Sequence, residues 1–507
     1  MKYWLGLDVG TGGSRALLVD ENGRVAGGVT APHDEMRMPK PLWAEQRPED
    51  WWRASRQAIR GVLRKTDVAA DDVEAIGLSG QMHGLILLDE NHDVLRPAII
   101  WCDQRCQHQV DWINSTAGTD MVLEQTANPV LTGFTAPKLI WVRDHDPSSY
   151  ERVRYVLLPK DYIRFRLTGE FAGDVSDASG TALFDVVHRR WADTLIEKLG
   201  IDRSILPRVV ESREVTGTVS EIVSEHTGLR AGTPVVAGAG DQAASAVGNG
   251  IVETGLVSAT IGTSGVIFSH LDKVAYDPAG RVHTFCHAVP GKWHVMGVTQ
   301  GAGLSLQWFR NQLGRDAVVE AQRRDVDPYE ILAEEAAQAP AGSEGLYWLP
   351  YLMGERSPHL DAHARGGWIG LTARHTRSHL IRSVIEGVSF SLKDCLDIVA
   401  SLGAGVKIVR ASGGGARSEL WRRILASVFG VPIATLESQE GSAYGAALLG
   451  MVGSGRFGSV SEACRTAIQE CERVEPDPDW RSRYDADYPI FQRLYPALKD
   501  RFPEMSG

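Results

Sequence analysis

Two short stretches of this chain, one near the start of each half, repeat the scheme of apolar strand, Gly-Thr turn and apolar strand. The first covers Tyr3 to Val19 and turns at Gly10-Thr11-Gly12-Gly13. The second covers Leu256 to Ser269 and turns at Gly262-Thr263-Ser264-Gly265. Strands joined by so tight a turn are antiparallel. The repeated hairpin therefore predicts two related folds that face each other.

The length of the chain agrees with two domains. At 507 residues it exceeds what one hydrophobic core usually supports, and we place the domains at residues 1–247 and 248–507. The composition, with 43% hydrophobic and 23% charged residues, is that of folded globular proteins. The net charge of −11 and the lack of a Lys/Arg-rich block argue against nucleic-acid binding. No run reaches the ~18 apolar residues of a membrane span and no secretory signal is recognisable, so we expect a cytoplasmic protein with no membrane partner.

Strand and helix patterns alternate along the rest of the chain, which is typical of the α/β class. In the first half, Asn22-Gly23 predicts a turn into a third strand, helical spacing begins at Pro48, and Val73 to Leu78 is a buried strand. The second half continues with a helix at His379 to Ala400, a strand at Val406 to Ala411, a helix at Ser418 to Val428 and a small-residue helix at Gly441 to Gly450. We expect the last helix to pack closely against its neighbours.

Glycine-rich turns after strands are suited to holding phosphate, because backbone N–H groups converge there without an obstructing Cβ. Three such turns stand out, at residues 10–13, 262–265 and 413–415. The third is expected to lead straight into a helix, whose amino terminus favours an anion. For any one of them a plain tight turn is the more common explanation, but together they predict a nucleotide site. The P-loop, protein-kinase and His-Glu-x-x-His motifs are absent from the sequence, so the site would be built from paired hairpins.

Two aspartates lie beside these turns. Asp8 ends the first strand, where its carboxylate could hold magnesium near bound phosphates or simply cap the turn. Asp241 follows a short strand and precedes a helix, where it could accept a hydroxyl proton during phosphoryl transfer or serve as an ordinary helix N-cap. Position alone leaves both pairs of roles open.

A polar segment, Gln81-Met82-His83-Gly84, lies between the strand at Val73 to Leu78 and the next apolar run. A lone histidine in such a turn is more often structural than a ligand. Trp101 follows the next strand, and a tryptophan there could stack on a sugar ring. Asp103 and Arg105 are expected to form a local salt bridge.

The chain resembles the FGGY family of carbohydrate kinases over nearly its whole length. The resemblance rests on ordered motifs: Asp8-Val9-Gly10-Thr11, Trp43-Ala44-Glu45-Gln46, Gly133-Phe134-Thr135-Ala136-Pro137-Lys138-Leu139, Leu158-Pro159-Lys160-Asp161-Tyr162, Gly238-Ala239-Gly240-Asp241, Gly262-Thr263-Ser264-Gly265, Gly354-Glu355-Arg356-Ser357-Pro358-His359, Gly366 to Glu386, and Gly413-Gly414-Gly415-Ala416-Arg417-Ser418. The number and order of these matches make the resemblance specific.

The resemblance implies a two-domain actin-like, ribonuclease-H-like fold with the active site in the interdomain cleft. ATP would be the co-substrate and Mg²⁺ the cofactor, with Asp241 as catalytic base and Asp8 as the magnesium-linked aspartate. The implied ATP-binding residues are Gly10, Thr11, Gly262, Thr263, Gly303, Gln307, Gly413, Gly414 and Gly415. The implied sugar-binding residues are Gln81, Met82, His83, Trp101, Asp241 and Gln242. A homodimer is expected only through this resemblance.

The acceptor is expected to be a ketopentose, with phosphate transferred to the 5-hydroxyl of D-xylulose. The segment Gln81-Met82-His83-Gly84 is similar to the form in kinases of xylulose, whereas glycerol kinases carry Arg-Glu at positions 82 and 83. The pair Asp241-Gln242 is the glycerol kinase form, so kinases of ribulose, glycerol or a related sugar or polyol stay open. A more distant alternative is an actin-like nucleotide-binding regulatory protein without a small-molecule acceptor.

Overall fold

The computed structural model describes residues 1–438 and 440–505 and contains one large mixed sheet in each half of the chain. The strands are β1 Tyr3–Val9, β2 Gly13–Asp20, β3 Val25–Pro32, β4 Glu45–Gln46, β5 Val73–Gly80, β6 Ile86–Leu88, β7 Ala98–Ile99, β8 Tyr155–Leu157, β9 Ala172–Asp174, β10 Phe184–Asp185, β11 Arg190–Trp191, β12 Arg208–Val210, β13 Val215–Thr218, β14 Pro234–Val236, β15 Ala239–Gly240, β16 Leu256–Ile261, β17 Gly265–Leu271, β18 His283–Cys286, β19 Trp293–Thr299, β20 Tyr347–Leu349, β21 Gly367–Ile369, β22 Ile408–Ser412, β23 Ile433–Leu436 and β24 Glu470–Val474.

Helices cover the faces of both sheets and link their strands. They are α1 Pro48–Thr66, α2 Gln107–Ala117, α3 Thr119–Thr126, α4 Thr135–His145, α5 Pro147–Tyr150, α6 Pro159–Thr168, α7 Val175–Ala178, α8 Asp193–Lys198, α9 Glu221–Thr227, α10 Asp241–Gly248, α11 Ala302–Leu313, α12 Arg315–Arg324, α13 Pro328–Ala336, α14 Arg377–Val399, α15 Glu419–Phe429, α16 Gly441–Gly453, α17 Val460–Ala467, α18 Pro478–Leu498 and α19 Phe502–Met505. None of the helices in the described ranges combines the length and apolarity needed to cross a bilayer.

The two sheets share one strand order. In the first sheet neighbouring strands run β3, β2, β1, β5, β14, and in the second they run β19, β17, β16, β22, β23. Strand β1 is antiparallel to β2 and parallel to β5, and β16 is likewise antiparallel to β17 and parallel to β22. The repeated hairpin therefore marks a repeated fold, and the expected two-domain, actin-like α/β architecture is confirmed. The boundary between residues 247 and 248 stays a prediction; helix α10 ends at Gly248.

Helix α16 joins the two halves. It belongs to the second half in sequence, but it packs against β1, β5 and α10 of the first half. A Cβ at Gly445 would lie 1.8 Å from the carbonyl oxygen of Ala244, and one at Gly77 would lie 1.7 Å from that of Ala446. Backbones that approach this closely leave room only for hydrogen, which confirms the expected close packing of this helix.

One expectation about the third glycine turn is wrong. Residues 413–415 do not lead straight into a helix, because Gly415–Arg417 form a 3₁₀ turn first. Helix α15 begins at Glu419, after Ser418, whose hydroxyl accepts a hydrogen bond from the backbone N–H of Trp421 at 3.3 Å. The side-chain cap sets the start of the helix and separates it from the glycines.

Candidate active site

Asp8 and Asp241 lie at the same end of the first sheet. Asp8 is opposite Ser79 of β5, and Ser79 is opposite Ala239 of β15, two residues before Asp241. Burial raises the pKa of both carboxyls, and the nearby charge of Asp8 adds to the effect on Asp241, whose pKa rises to about 7. Two carboxyls that the sequence separates by more than 230 residues therefore share one electrostatic environment.

The N-cap interpretation of Asp241 is wrong. Gly240 holds the N-cap position of α10, Asp241 is the first helical residue, and no side-chain capping bond forms. The carboxyl is half-buried at the start of the helix and interacts with the backbone and side chain of Gln242. It is therefore available to a ligand at this end of the first sheet.

Asp8 does not cap the turn that follows it. The turn is closed by the backbone bond from Gly10 N–H to the carbonyl of Gly13, at 3.0 Å. The Oδ1 atom of Asp8 is buried and has no hydrogen-bond partner in the described part of the chain. A buried acceptor of this kind is costly unless a ligand satisfies it.

The first Gly-Thr loop is held from behind by two glutamines. Gln46 Nε2 donates to the carbonyl of Thr11 at 2.8 Å, and Gln81 Nε2 donates to Gln46 Oε1 at 3.1 Å. The hydroxyl of Thr11 is 3.3 Å from Gln81 Oε1 and accepts a hydrogen bond from Trp101 Nε1 at 3.0 Å. Trp101 is 47% exposed and lies over this loop. Gln81 is buried behind the loop and contacts two predicted ATP-binding residues. Its Nε2 donates to the carbonyl of Gly10, and its Oε1 accepts from the hydroxyl of Thr11.

The second Gly-Thr loop contacts the start of helix α11. Gly303 N–H donates to the carbonyl of Gly262 at 2.8 Å, and Leu304 N–H donates to that of Thr263 at 3.1 Å. A Cβ at Gly303 would lie 2.4 Å from the Gly262 oxygen, so this approach requires glycine. Gln307 is half-exposed one turn further along α11. The structure therefore brings four of the predicted nucleotide-binding positions together.

The third glycine turn lies beside the second loop. Gly413 has a φ of +82°, and a Cβ there would lie 2.6 Å from the carbonyl oxygen of Ile261. Gly415 approaches the side chain of the same isoleucine, while Gly414 is exposed with open space around it. Because β22 runs parallel to β16, residues 413–415 and the Gly262 loop emerge at one edge of the second sheet.

Met82 and His83 line the first half close to Asp241. Met82 is buried, and its side chain lies against Gly240, where a Cβ would meet Met82 Cγ at 2.9 Å. His83 has a φ of 69°, and its ring stacks on Phe134 with 4.8 Å between centroids. The ring Nδ1 is 2.7 Å from the carbonyl oxygen of Gly180. Of the sugar-binding candidates, Met82 and His83 therefore lie together, with Met82 against the residue before Asp241, whereas Gln81 and Trp101 contact the first Gly-Thr loop.

A buried ionic cluster supports the segment that leads into Asp241. Lys160 Nζ is 2.6 Å from Asp161, 3.1 Å from Asp174 and 3.8 Å from Asp177, and it also donates to the carbonyl of Ala237 at 3.2 Å. Ser176 Oγ donates to Asp174 at 2.6 Å and accepts from Gly240 N–H at 3.2 Å. The cluster thus holds the backbone on both sides of Gly238, directly before Asp241.

Three of these residues were not found by sequence reasoning as parts of the site: Gln46, Lys160 and Ser176. Gln46 and Lys160 occur in motifs that carry the family resemblance, but nothing in their local pattern indicates which group they bind. Ser176 lies in a short polar helix with no signal of its own. The expected salt bridge between Asp103 and Arg105 is confirmed at 2.7 Å, and Arg105 also bonds Glu45 at 2.7 Å, next to Gln46.

The chain is similar to known carbohydrate kinases in both of its halves. Residues 3–248 match the model of the N-terminal domain of the FGGY family of carbohydrate kinases, and residues 257–454 match that of its C-terminal domain. The chain is 37% identical over 500 residues to a xylulose kinase of Bacillus subtilis, covering 99% of this chain and 98% of the relative. It is 39% identical over 496 residues to a xylulose kinase of Escherichia coli, covering 98% and 99%.

A solved structure shows the same architecture. The crystal structure of a "xyloylose kinase" from Brucella ovis superposes with a TM-score of 0.89 at 38% identity. The superposition covers 98% of this chain and 99% of that one. With family models matching both halves and relatives of this similarity over almost the full length, the chain belongs to the FGGY family of carbohydrate kinases.

Proposed function

We propose that the protein transfers the γ-phosphoryl group of ATP to the 5-hydroxyl of D-xylulose, giving D-xylulose 5-phosphate and ADP. The proposal is supported by family membership, by the xylulose kinases among the relatives, and by the site itself. The observation that carries it is the half-buried Asp241 carboxyl, which follows the Gly240 backbone packed on Met82 and lies close enough to Asp8 for that charge to raise its pKa.

Asp241 is assigned the role of base. As the sugar hydroxyl attacks the γ-phosphorus, its proton passes to the Asp241 carboxylate and ADP departs with the electrons of the broken P–O bond. The raised pKa makes this carboxylate a better proton acceptor than an exposed aspartate. Lys160 and Ser176 are assigned a positioning role, since they hold the backbone that leads into Asp241.

The phosphates of ATP are assigned to the two Gly-Thr loops, with the adenosine next to Gly413-Gly414-Gly415. Gly10, Thr11, Gly262 and Thr263 present backbone groups without large side chains, which suits an anion. Gly303 and Gln307 belong to the same nucleotide site in this proposal, because the first packs on the Gly262 loop and the second lies one helical turn away.

Magnesium fits the Asp8 position. The buried, unpartnered Oδ1 atom of Asp8 is an oxygen ligand of the type that Mg²⁺ prefers, directly or through water. Within the described ranges no group of three acidic, histidine or cysteine side chains could hold a metal by itself, which agrees with an ion bound mainly through nucleotide phosphates. When bound, the ion would neutralise charge on the transferring phosphoryl group.

The central test replaces Asp241 by Asn and by Ala. We expect kcat for D-xylulose to fall by about 10²- to 10⁴-fold, because the proton acceptor is removed, while the affinity for ATP changes little. ATP affinity is measured by calorimetry and turnover by a coupled ADP assay. The matched control, Asp479→Asn, changes an exposed aspartate in the first turn of α18 and should leave both values unchanged. Near-normal turnover in the Asp241 variants would remove this residue from its role.

The acceptor is tested by comparing kcat/KM across ketoses and polyols. Ribulose and glycerol are the informative competitors, because Gln242 follows Asp241 as in glycerol kinases. A higher kcat/KM for either would replace D-xylulose in the proposal while leaving the phosphoryl transfer intact. ATP hydrolysis that no sugar stimulates would instead favour a nucleotide-binding regulatory protein.

Location and assembly extend the proposal. We place the enzyme in the cytoplasm, where ATP is available and where its six cysteines, which form no disulfide, stay reduced. The homodimer stays a prediction, and sedimentation of the purified protein tests it.

A further inference from the structure

Arg356 is a half-buried cation without an acidic partner in the described part of the chain. Its side chain belongs to the segment between β20 and β21 of the second half, and no carboxylate in the described part of the chain lies within ion-pair distance of it. Burial alone lowers the pKa of its guanidinium. Among the described residues, the guanidinium of Arg356 makes one side-chain hydrogen bond, from Nη2 to Nε2 of His283 at 2.6 Å. Burying a guanidinium without a carboxylate is costly, so donors left open in this way are expected to serve a ligand.

The backbone of Arg356 is held firmly. Its N–H donates to Glu355 Oε1 at 2.7 Å, and the same oxygen accepts from Gln300 N–H at 2.7 Å. Ser357 N–H donates to the carbonyl of Val298 at 2.9 Å, and the Ser357 hydroxyl donates to that of Arg281 at 2.6 Å. These bonds join Arg356 to the end of β19, from which the chain continues into the Gly303 turn. The backbone that carries the Arg356 guanidinium is therefore fixed close to the second Gly-Thr loop.

The hydrogen bonds of His283 orient the guanidinium. His283 is buried and neutral, because burial and the Arg356 charge lower its pKa well below the ordinary value. Its Nδ1–H donates to Asn128 Oδ1 at 3.1 Å, which leaves Nε2 as the acceptor for Arg356 Nη2. The remaining N–H groups of the guanidinium, on Nε and Nη1, have no partner in the described ranges.

His83 presents a complementary acceptor from the first half. Burial lowers the pKa of its imidazole to about 3, so the ring is neutral at physiological pH. Since Nδ1 is 2.7 Å from the Gly180 carbonyl, Nδ1 carries the proton and Nε2 carries the lone pair. Nε2 has no partner among the described residues. The ring of His83 stacks on Phe134, and Phe134 lies 5.9 Å from the ring of His283, so the donor of Arg356 and the acceptor of His83 belong to one aromatic-walled cluster.

We propose that Arg356 and His83 together recognise the α-hydroxyketone end of the sugar. Open guanidinium N–H groups of Arg356 donate to the C2 carbonyl oxygen, and Nε2 of His83 accepts from the C1 hydroxyl. The inference rests on the proposed function, because it assigns the end of the ketose opposite the hydroxyl that faces Asp241. Since His83 and Arg356 come from different halves of the chain, the sugar site is complete only when both halves enclose it.

The test separates sugar recognition from chemistry by using 5-deoxy-D-xylulose, which lacks the reacting hydroxyl. Its affinity is measured by calorimetry for the wild type and for Arg356→Met, Arg356→Lys and Asp241→Asn. We expect Arg356→Met to bind 5-deoxy-D-xylulose about 10- to 100-fold more weakly, because the variant loses hydrogen bonds from a charged donor. Arg356→Lys keeps the charge without the fork and should fall between, and Asp241→Asn should bind this compound nearly as the wild type does. ATP affinity should stay within about twofold in every variant, which a general loss of structure would not allow.

Arg374→Ala is the matched control, since Arg374 is an exposed arginine of the same half, paired with Glu344 at the surface. A wild type that does not phosphorylate D-xylulose would overturn the proposed function. A wild type that does, together with unchanged affinity of Arg356→Met for 5-deoxy-D-xylulose, would overturn only this inference. If the variants do not fold, the wild type still decides: equal affinity for 5-deoxy-D-xylulose and for its C2 alcohol would refute recognition of the carbonyl.

Discussion

Replacing Lys160 by Met would leave three buried carboxyls without their common cation. Lys160 Nζ lies within 4 Å of Asp161, Asp174 and Asp177, and all four side chains are at most 3% exposed. Methionine fills most of the volume of the lysine stem but provides no charge and no hydrogen-bond donor. The substitution therefore tests electrostatic support with little change in packing.

The expected loss of stability is large. Removing one partner of a buried ion pair costs about 3 to 5 kcal/mol, because the remaining charge is buried without compensation. A typical domain unfolds with only about 5 to 15 kcal/mol, so the variant should stay folded with a much reduced margin. The hydrogen bond to the Ala237 carbonyl is lost as well, so kcat should fall because the segment before Asp241 is less well held.

The loss should grow with pH. Burial raises the pKa of Asp161 and Asp177 in the wild type, and removing the cation raises the pKa values of the cluster further. Acids whose folded pKa lies above the unfolded value, about 3.9, bind protons on folding, so stability falls as the pH rises from there toward the folded pKa. The difference between wild type and Lys160→Met should be smaller at pH 5 than at pH 8. The pKa of Lys160 itself is raised above 10.5, so Lys160 stays protonated in the wild type between pH 5 and pH 8 and adds no pH dependence there.

Urea unfolding at the two pH values measures both effects, with kcat recorded in parallel. Lys292→Met is the control: that lysine pairs with Asp272 at 2.6 Å at the surface, and its loss should cost no more than about 1 kcal/mol. Asp177→Asn should cost less stability than Lys160→Met, because burial already raises the pKa of this carboxyl well above the ordinary value and it lies farthest from Lys160, at 3.8 Å; it should also partly rescue Lys160→Met. A Lys160→Met protein as stable as the Lys292 control at both pH values would refute the reasoning.

Two further predictions concern the sugar site and the base. In Gly180→Ala the new Cβ would lie 2.5 Å from Nδ1 of His83, so the imidazole must move and KM for D-xylulose should rise about tenfold, with KM for ATP unchanged. Steady-state kinetics test this prediction, with Gly367→Ala as the control because a Cβ at that position meets nothing within 4 Å. Equal KM values for D-xylulose in the two variants would contradict it. Because a base must be deprotonated to accept a proton, kcat/KM should fall as the pH drops below the pKa of Asp241, about 7 before bound Mg²⁺ lowers it. A pH–rate profile that stays flat down to pH 4 would be incompatible with this base.

Much of the fold could be predicted because its signals are local. Tyr3–Val9 and Leu256–Ile261 are the strands predicted before the two Gly-Thr turns, and Pro234–Val236 is the short strand predicted before Asp241; each is a short apolar run ended by glycine or a turn. The repeated Gly-Thr turn also indicated the duplicated architecture. The helix predicted at Ser418 to Val428 is α15, Glu419–Phe429, but the 3₁₀ turn that separates it from the glycines was not predicted.

In the candidate site, too, some features follow from local sequence signals and others only from the structure. Asp8, Asp241 and the glycine turns could be chosen from the sequence, because each stands at the end of a strand, where a chain turns and exposes backbone groups. Which of two roles the aspartates take was not decided by position. The structure excludes the capping roles, since Gly240 is the N-cap of α10 and the turn after Asp8 closes through backbone bonds.

The sequence by itself determined the strands, the turns and the two aspartates, because local periodicity and turn chemistry specify them. Only the tertiary structure decided that Gln46 holds Thr11, that Lys160 supports the strand before Asp241, and that Arg356 contacts His283. These roles arise from burial and from contacts between distant segments. Neither burial nor a contact between distant segments can be predicted from neighbouring residues in the sequence, because the free-energy cost of a buried charge depends on the groups that the fold places around it.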